Sequence, residues 1–325
     1  MKKNILVIGG LFVILILGIL IFSNQNQFLD DDSGKLKIAA TIFPVADIAS
    51  NIGGDNVEVK TILKPGASPH TFEVTPSDIK SLQDAKVIFA IGWPLDNWTD
   101  DILAVDENVK LVKVDNGIEM HLFMENHHHD EDADHEDHDE YGHEEDHEAE
   151  DHEEGAMKDP HYWLSVKNAK IIAGNIADVL IEQDPANKME YQNNLQNYLN
   201  ELDELEVDLK NELQGLEKRE LIVFHESWNY FAKEYGLKIA GVVQLSPGKE
   251  PTPAQLAELH DAAGEHGITA IFSEPQLSPD TIRPFVEDLN LDLFVLDPLG
   301  GVDGRDSYIQ LLKYNAQTIK QALQQ

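Results

Sequence analysis

The sequence predicts an α/β protein made of two parallel-sheet α/β lobes joined by a long backbone α-helix. Short apolar segments alternate with segments of helical periodicity along most of the 325 residues, which is the pattern of strand–helix units in a parallel sheet. Near the middle, leucines recur every three or four residues from Leu195 to Leu216 without a proline. The long helix therefore divides the chain into two lobes, each large enough for its own core.

The first lobe is predicted to span residues 35–182. Its elements are inferred from the spacing of apolar residues, and one helix start is marked by Thr75 as the N-cap and Pro76 in the first turn. In chain order they are a strand at 36–40, a helix at 45–52, a strand at 57–63, the helix opened by Thr75, strands at 87–91 and 109–114, and a helix at 167–181.

A linker helix is predicted over residues 183–218. About thirty residues at roughly 1.5 Å each would make a rod of about 45 Å. A coiled-coil dimer helix has similar leucine spacing and is the alternative, but strand–helix alternation resumes directly afterwards, which favours a rigid connection. The second lobe, residues 219–325, is predicted to contain strands at 221–224, 239–243, 270–272 and 293–296 and helices at 228–235, 253–266, 279–289 and 308–323.

Residues 1–34 are predicted to be a targeting segment with an acidic linker. Lys2 and Lys3 precede the apolar residues 5–22, which at roughly 1.5 Å each span about 27 Å, just enough for a bilayer core. Positive charge before the apolar residues and acid after them place the bulk of the chain outside the cytoplasmic membrane. The long apolar stretch and the lack of an A-x-A-like cleavage site favour an uncleaved transmembrane anchor over a removed signal.

Charge and composition exclude several classes of partner and site. The net charge is −36, with 60 acidic against 24 basic residues, so nucleic acid and anionic lipid are not expected partners. The chain has no cysteine, which excludes disulfides, thiolate zinc sites and a cysteine-linked lipid anchor. The strong metal ligands that remain are His, Asp and Glu.

Residues 121–155 form a tract of histidines and acidic residues without a Lys or Arg, predicted to be a disordered loop in the first lobe. Imidazole is the commonest metal ligand in proteins, and carboxylates add charge and oxygen ligands. The repeated spacing predicts weak, interchangeable sites with an accessory role in buffering zinc; a merely solvated acidic segment is the alternative. The accessory histidines are His127, His128, His129, His135, His138, His143, His147 and His152.

Three histidines outside the tract lie where α/β proteins bind ligands. His70 is in the loop that leaves the 57–63 strand, His161 precedes a helix, and His225 directly follows the 221–224 strand. Any one alone is more often a loop or core histidine, but ligands bind outside the carboxyl ends of parallel strands, so the three are expected to converge on the interlobe cleft. Three histidines and an oxygen make a tetrahedral zinc set. The candidate oxygen ligand after the last strand is Asp297, although Asp before Pro is also a turn former. The other two histidines are predicted to be surface residues: His260 and His266.

Six blocks of sequence, in order, resemble the zinc/manganese ABC-transporter solute-binding proteins. The blocks are Pro65-Gly66-Ala67-Ser68-Pro69-His70 with Pro76-Ser77-Asp78, Asp159-Pro160-His161-Tyr162-Trp163-Leu164, Phe224-His225-Glu226-Ser227-Trp228-Asn229-Tyr230-Phe231 with Tyr235-Gly236-Leu237, Glu250-Pro251-Thr252-Pro253, Phe272-Ser273-Glu274-Pro275-Gln276 and Leu296-Asp297-Pro298-Leu299-Gly300. The resemblance covers about residues 36–325. It implies two lobes joined by a long helix, one metal ion between them, and, in zinc-type members, a His-rich acidic loop where the tract lies.

By this resemblance, His70, His161 and His225 bind the metal, with Asp297 or water as the fourth ligand. Manganese-type members look to have Glu where His225 stands, and imidazole favours zinc. Two departures concern the site. Pro69 stands where some members have an acidic ligand, and Ser165-Val166 replaces the usual Asp-Pro after the second block, which is expected to alter the support of His161.

The resemblance implies an extracytoplasmic protein, not an enzyme, that captures Zn²⁺ as its transported ligand. It would deliver the ion to the permease of an ABC-type importer while its N-terminal helix anchors it to the cytoplasmic membrane, since it lacks the lipid-attachment cysteine of many relatives. Three alternatives stay open: a manganese-type solute-binding protein, a zinc-dependent hydrolase with Glu226 as general base, and a metal-binding surface adhesin. The absence of H-E-x-x-H spacing disfavours the hydrolase.

Overall fold

Two parallel four-stranded sheets organise the protein. The structure is a computed structural model that describes residues 34–105, 108–123, 158–244, 252–276 and 283–324. The first sheet has the order β2-β1-β3-β4 and the second the order β6-β5-β7-β8, with every pair of neighbours parallel. The strands are β1 (Leu36–Ala40), β2 (Val57–Thr61), β3 (Val87–Ala90), β4 (Lys110–Lys113), β5 (Glu220–His225), β6 (Lys238–Gln244), β7 (Ala270–Ser273) and β8 (Asp292–Val295). The predicted α/β class with two parallel sheets is confirmed.

Helices connect the strands. They are α1 (Phe43–Gly53), α2 (Pro76–Lys80), α3 (Thr99–Leu103), α4 (Val166–Gln183), α5 (Lys188–Leu213), α6 (Asn229–Tyr235), α7 (Pro253–His266), α8 (Arg283–Asp288) and α9 (Tyr308–Leu323). The predicted cap of α2 is present, because the Thr75 side chain accepts from the Asp78 backbone N–H while Asp78 accepts from that of Thr75. The part of the predicted 279–289 helix before Arg283 lies outside the described residues.

Helix α5 is the long helix that the leucine spacing predicts. Its 26 residues make a rod of about 39 Å. It packs against α1, α4 and α9. The buried face consists of Tyr191, Tyr198, Leu202, Leu205, Leu209 and Leu213. Because other helices of the same chain cover this apolar face, it is not available to a coiled-coil partner.

One hydrophobic core joins the two sheets. Side chains alternate across a strand, so Ile38 and Leu221 lie in the shared core, while their neighbours Ala39 and Ile222 lie in smaller clusters on the other face of each sheet. Residues 36–325 form one compact unit. The lobe boundaries near residues 182 and 218 therefore remain an interpretation of the two sheets and of the helix between them.

Within the described ranges, no helix is both long enough and apolar enough to cross a membrane. The predicted anchor at residues 5–22 lies outside those ranges, as do residues 124–155 of the His/acid tract with all eight accessory histidines. The anchor and the accessory metal sites therefore stay predictions.

Candidate metal centre

Three histidines from separate parts of the chain meet at one place. His70 lies in the short 3₁₀ turn Pro69–Thr71 after β2, His161 begins the 3₁₀ turn Tyr162–Leu164 before α4, and His225 is the last residue of β5. One ring nitrogen of each lies within 4.8 Å of the others. In the described part of the chain, this is the group of His, Asp or Glu side chains arranged to hold a metal ion. The structure therefore brings together the histidines that the sequence selects.

The spacing of two ring nitrogens matches a zinc site. The Nε2 atoms of His70 and His161 are 3.2 Å apart. Two nitrogens bound to tetrahedral zinc at about 2.0–2.1 Å would be about 3.3–3.4 Å apart. Without a metal, one of these nitrogens must carry a hydrogen and donate a hydrogen bond to the other. The pair already has nearly the separation of two zinc ligands.

Asp159 orients the His161 ring. Its Oδ1 lies 2.7 Å from His161 Nδ1 and also accepts the His161 backbone N–H at 2.9 Å. Its Oδ2 accepts a hydrogen bond from the side-chain amide of Asn229, at the start of α6, at 3.2 Å. A carboxylate at Nδ1 holds an imidazole with Nε2 free for a metal. Asp159 thus aims Nε2 of His161 at the other two histidines.

Glu274 stands in the same relation to His225. Since β5 and β7 are parallel neighbours, the residue that ends β5 lies beside the residue that follows β7. The distance from His225 Nδ1 to Glu274 Oε2 is 3.5 Å. Oε1 of Glu274 accepts from the Ser227 hydroxyl at 2.7 Å and from the Trp228 indole at 3.1 Å, which fixes the carboxylate.

Asp159 and Glu274 were not among the site residues predicted from the sequence. Both stand inside the matched blocks, and Glu274 directly follows a strand, so the rule that selects His225 would also have found it. Asp159 carried no comparable signal except its place two residues before His161. The departure at Ser165 was expected to alter the support of His161. In the structure, Ser165 caps α4, and Asp159 supports the His161 ring.

Burial controls protonation at the site. Burial, together with the other two histidines, lowers the pKa of His70 to about 2, and burial also takes the pKa of His161 well below its ordinary value. Burial opposes charge on His225 too, but nearby carboxylates, Glu274 first, outweigh it and raise the pKa. Burial raises the pKa of Asp159 to about 7. His70 and His161 are therefore neutral and able to bind a metal at neutral pH, whereas His225 more readily keeps a proton that a metal must displace.

Asp297 belongs neither to the group of three histidines nor to the described pocket lining. Its Oδ1 accepts the backbone N–H groups of Leu299 and Gly300, both at 3.0 Å, and its Oδ2 lies 3.0 Å from Nη1 of Arg305. Pro298 and Leu299 line the pocket. The fourth-ligand role predicted for Asp297 stays a prediction, and it requires these contacts to break.

The rest of the pocket is formed by connecting segments from both halves of the chain. Trp163 donates its indole N–H to the carbonyl of Pro298 at 2.8 Å, which joins the turn before α4 to the loop after β8. Glu226, the candidate base of a hydrolase, is not among the described residues that line the pocket. Besides the histidines, the lining residues are Ser68, Pro69, Trp163, Glu274, Gln276, Pro298 and Leu299.

The two histidines predicted at the surface lie on α7, away from this pocket. His260 has 58% of its side chain exposed, and His266 is partly exposed. His121, at the start of the tract, stacks on Tyr230 with ring centroids 4.1 Å apart.

Comparison with known proteins gives matches over most of the chain. The model of the family described as "Zinc-uptake complex component A periplasmic" (ZnuA) matches residues 38–322. The high-affinity zinc uptake system protein ZnuA of Brucella abortus (strain 2308) is 35% identical over 305 residues, which are 88% of this chain and 91% of the relative. The manganese ABC transporter substrate-binding lipoprotein PsaA of Streptococcus mitis is 30% identical over 338 residues, covering 99% of each. A crystal structure of ZnuA aligns with a TM-score of 0.74 and 31% identity, covering 89% of this chain and 99% of that chain.

Proposed function

Because the chain belongs to the zinc-uptake complex component A family of metal-binding ABC-transporter solute-binding proteins, we propose that it captures Zn²⁺ outside the cytoplasmic membrane and delivers it to the permease of an ABC-type importer. The observation that carries the proposal is the convergence of His70, His161 and His225 on one pocket. The family is a transport component and not an enzyme family, which argues against the hydrolase.

In the proposed site, three imidazole nitrogens bind the ion, and water or Asp297 completes the tetrahedron. Asp159 and Glu274 hold two of the rings through Nδ1, so that Nε2 of each faces the ion. Imidazole suits zinc better than it suits manganese, which prefers carboxylate, carbonyl and water oxygens. The ion is cargo, so the site must also release it.

Manganese is the second candidate, because a relative 30% identical to this chain carries manganese in its name. A histidine at position 225 is the feature that favours zinc. The Asp297 carboxylate is bound to Arg305 and to the backbone N–H of Leu299. The described site is therefore rich in nitrogen ligands and poor in oxygen ligands, which also favours zinc.

We assign the His/acid tract an accessory role in buffering zinc close to this pocket. The first residues of the tract contact the residues that follow it: Leu122 forms an antiparallel bridge with Lys158, and the His121 carbonyl accepts the Asp159 backbone N–H at 2.8 Å. The described residues before and after positions 124–157 therefore lie beside Asp159, the carboxylate that holds His161. Anchoring by an N-terminal helix remains part of the proposal.

The proposal is tested by calorimetric titration of zinc and of manganese into the intact protein and into a variant that lacks residues 125–154. One tight zinc site is expected in both proteins, with weak additional binding only in the intact one. His225→Ala should remove the tight site, whereas the matched control His260→Ala should keep it, because His260 is exposed on α7. Loss of tight binding with the tract would show that the pocket is not the zinc site.

Delivery needs a second readout. Zinc uptake is measured in cells that carry the importer and either the wild-type protein or His225→Ala, and only the wild type is expected to support uptake. Sustained ester or peptide hydrolysis by the zinc form, lost in His225→Ala, would instead support the hydrolase. Binding to host or matrix proteins that does not depend on His225 would support the adhesin.

A further inference from the structure

A carboxylate lies next to the proposed metal site but is bound to an arginine. The side chains of Asp297 and Arg305 are 3% and 20% exposed, and Nη1 lies 3.0 Å from Oδ2. Pro298, the next residue, lines the pocket and accepts a hydrogen bond from Trp163, whose ring centroid is 5.3 Å from that of His161. Asp297 is thus directly next in the chain to a residue that lines the pocket.

The backbone around Asp297 is held in place. Its N–H donates to the side-chain oxygen of Asn315 at 2.8 Å, and its carbonyl accepts from the Asn315 amide at 2.7 Å. The chain then turns back through Gly300 and Gly301, whose φ angles of +68° and +78° lie in the left-handed region that favours glycine. The Gly301 N–H donates to the Arg305 carbonyl at 2.9 Å. This turn returns Arg305 to the carboxylate that begins the loop.

Besides Asp297, the guanidinium of Arg305 contacts an aromatic ring. It lies over the ring of Tyr314 on α9, 4.6 Å from the ring centroid. Arginine stacks on aromatic rings and binds carboxylates in a planar geometry that lysine does not reproduce. Withdrawing Asp297 from this mostly buried pair would leave the guanidinium without its partner, which is costly.

We propose that Arg305 is a specificity-determining residue, because by binding Asp297 it withholds an oxygen ligand from the captured ion. This inference rests on the proposed function and identifies a residue that makes the site prefer zinc to manganese. With Asp297 held back, three imidazole nitrogens dominate the site, and such a set favours zinc. With Asp297 released, a carboxylate joins them, and the gain is larger for manganese, whose preferred ligands are oxygens.

The test is the ratio of zinc to manganese affinity in the full chain at pH 7.5, measured by competition titration. Arg305→Gln is expected to shift this ratio toward manganese by at least about tenfold, the scale of changes next to metal ligands. Adding Asp297→Asn to Arg305→Gln should abolish the shift, because the released carboxylate is then absent. Lys313→Gln is the matched control, since it removes a cation paired with Asp208 on α5 and should leave the ratio unchanged.

Two further variants keep the proposal open to refutation. Asp297→Asn alone should leave zinc affinity at the wild-type value, and a loss of about tenfold or more would show that Asp297 is already a ligand and overturn the proposal. If Arg305→Gln does not fold, Arg305→Met, which also removes the cation, should shift the ratio in the same direction. An unchanged ratio in either folded variant overturns the proposal. Failure of the proposed function itself would appear in the wild type, as the absence of a tight zinc site.

Discussion

Nε2 of His70 lies 3.2 Å from Nε2 of His161, although the two residues are 91 positions apart in the chain. This separation is close to the edge of a zinc-centred tetrahedron, about 3.3–3.4 Å. The loops that carry the histidines are therefore already placed as a zinc ion would require. Because a preorganised site loses little free energy to rearrangement, tight binding needs no large movement of these two rings.

Zinc affinity should fall when the pH is lowered from 7.5 to 5.5. The raised pKa of His225 means that its ring keeps a proton to a higher pH than an ordinary histidine does, and zinc needs the neutral ring, so the loss of affinity begins above the ordinary histidine range. Zinc on Nε2 of His161 also needs Asp159 as a carboxylate to accept the Nδ1 proton, and the pKa of Asp159 is about 7. His70, with a pKa of about 2, adds no loss in this window.

The expected decrease is at least about tenfold, with one to two protons released per zinc bound. Calorimetry in two buffers of different ionisation enthalpy measures both quantities. Equal affinity at the two pH values would rule out the three-histidine site.

Glu274→Gln should weaken zinc binding about 10- to 100-fold. The glutamine can keep its carbonyl oxygen for Ser227 and Trp228, but an amide NH₂ then faces His225 Nδ1 in place of Oε2. The ring loses the acceptor that leaves Nε2 free for the metal. Removal of the nearby charge also lowers the pKa of His225. The decrease in zinc affinity on acidification should therefore occur at lower pH.

The control for this variant is Glu226→Gln, which removes a second charge near His225 without removing the Nδ1 contact. It should change the pH dependence but cost less affinity at pH 7.5. Zinc titrations of both variants at three pH values separate the two effects. Equal losses of affinity at pH 7.5 would contradict the positioning role of Glu274.

Asp47→Asn should stabilise the folded protein at pH 7. The Asp47 carboxylate on α1 accepts the backbone N–H of Tyr308, the first residue of α9, and burial raises its pKa from 3.8 to about 6. The folded state therefore holds a proton that the unfolded state releases between these values, so stability falls as pH rises through this window and the cost is complete above about pH 6.

Asparagine keeps an acceptor oxygen and removes the buried charge. The expected gain in the free energy of unfolding is about 1–2 kcal/mol at pH 7, and it should shrink toward zero near pH 4. Urea unfolding of both proteins at the two pH values measures it. Asp303→Asn, at an exposed position, should give no such gain, and a destabilised Asp47→Asn at pH 7 would refute the burial argument.

Tyr308→Phe should destabilise the protein by about 1–3 kcal/mol. Its ring is fully buried, and its hydroxyl donates to the carbonyl of Trp163 at 2.7 Å, so phenylalanine removes a buried donor and leaves that carbonyl short of a partner. Tyr314→Phe is the matched control, because the Tyr314 hydroxyl bonds to Val295 at an exposed place, 3.2 Å away. Urea midpoints compare the two, and similar costs would contradict the argument from burial.

Local elements were largely predictable because their signals are local. Thr75 and Pro76 mark the start of α2, and the buried positions of α5 follow the predicted leucine spacing except at its first turns, where Tyr191 and Tyr198 take over. The end of β5 at His225 is likewise visible in the sequence as an apolar run that stops. Periodicity and capping act over a few residues, so one sequence is enough to detect them.

The contacts of the carboxylates around the site were harder to predict from such local signals. Glu274 reaches His225 because β5 and β7 are neighbours, and Arg305 reaches Asp297 because the chain turns back at Gly300. Neither contact has a spacing in the sequence, since each depends on strand order or on a turn. Asp297 shows the consequence: its position after β8 suggests a ligand, whereas its contacts bind it to an arginine.

By itself, the sequence determined the α/β class, the long helix, the acidic character and the three histidines that carry the metal hypothesis. Only the tertiary structure decided that His70, His161 and His225 share one pocket, that Asp159 and Glu274 orient two of them, and that Asp297 contacts Arg305. The physical reason is that secondary structure follows from local periodicity and capping. Ligand geometry, in contrast, depends on how two sheets pack on one core and bring distant loops to within a few ångströms.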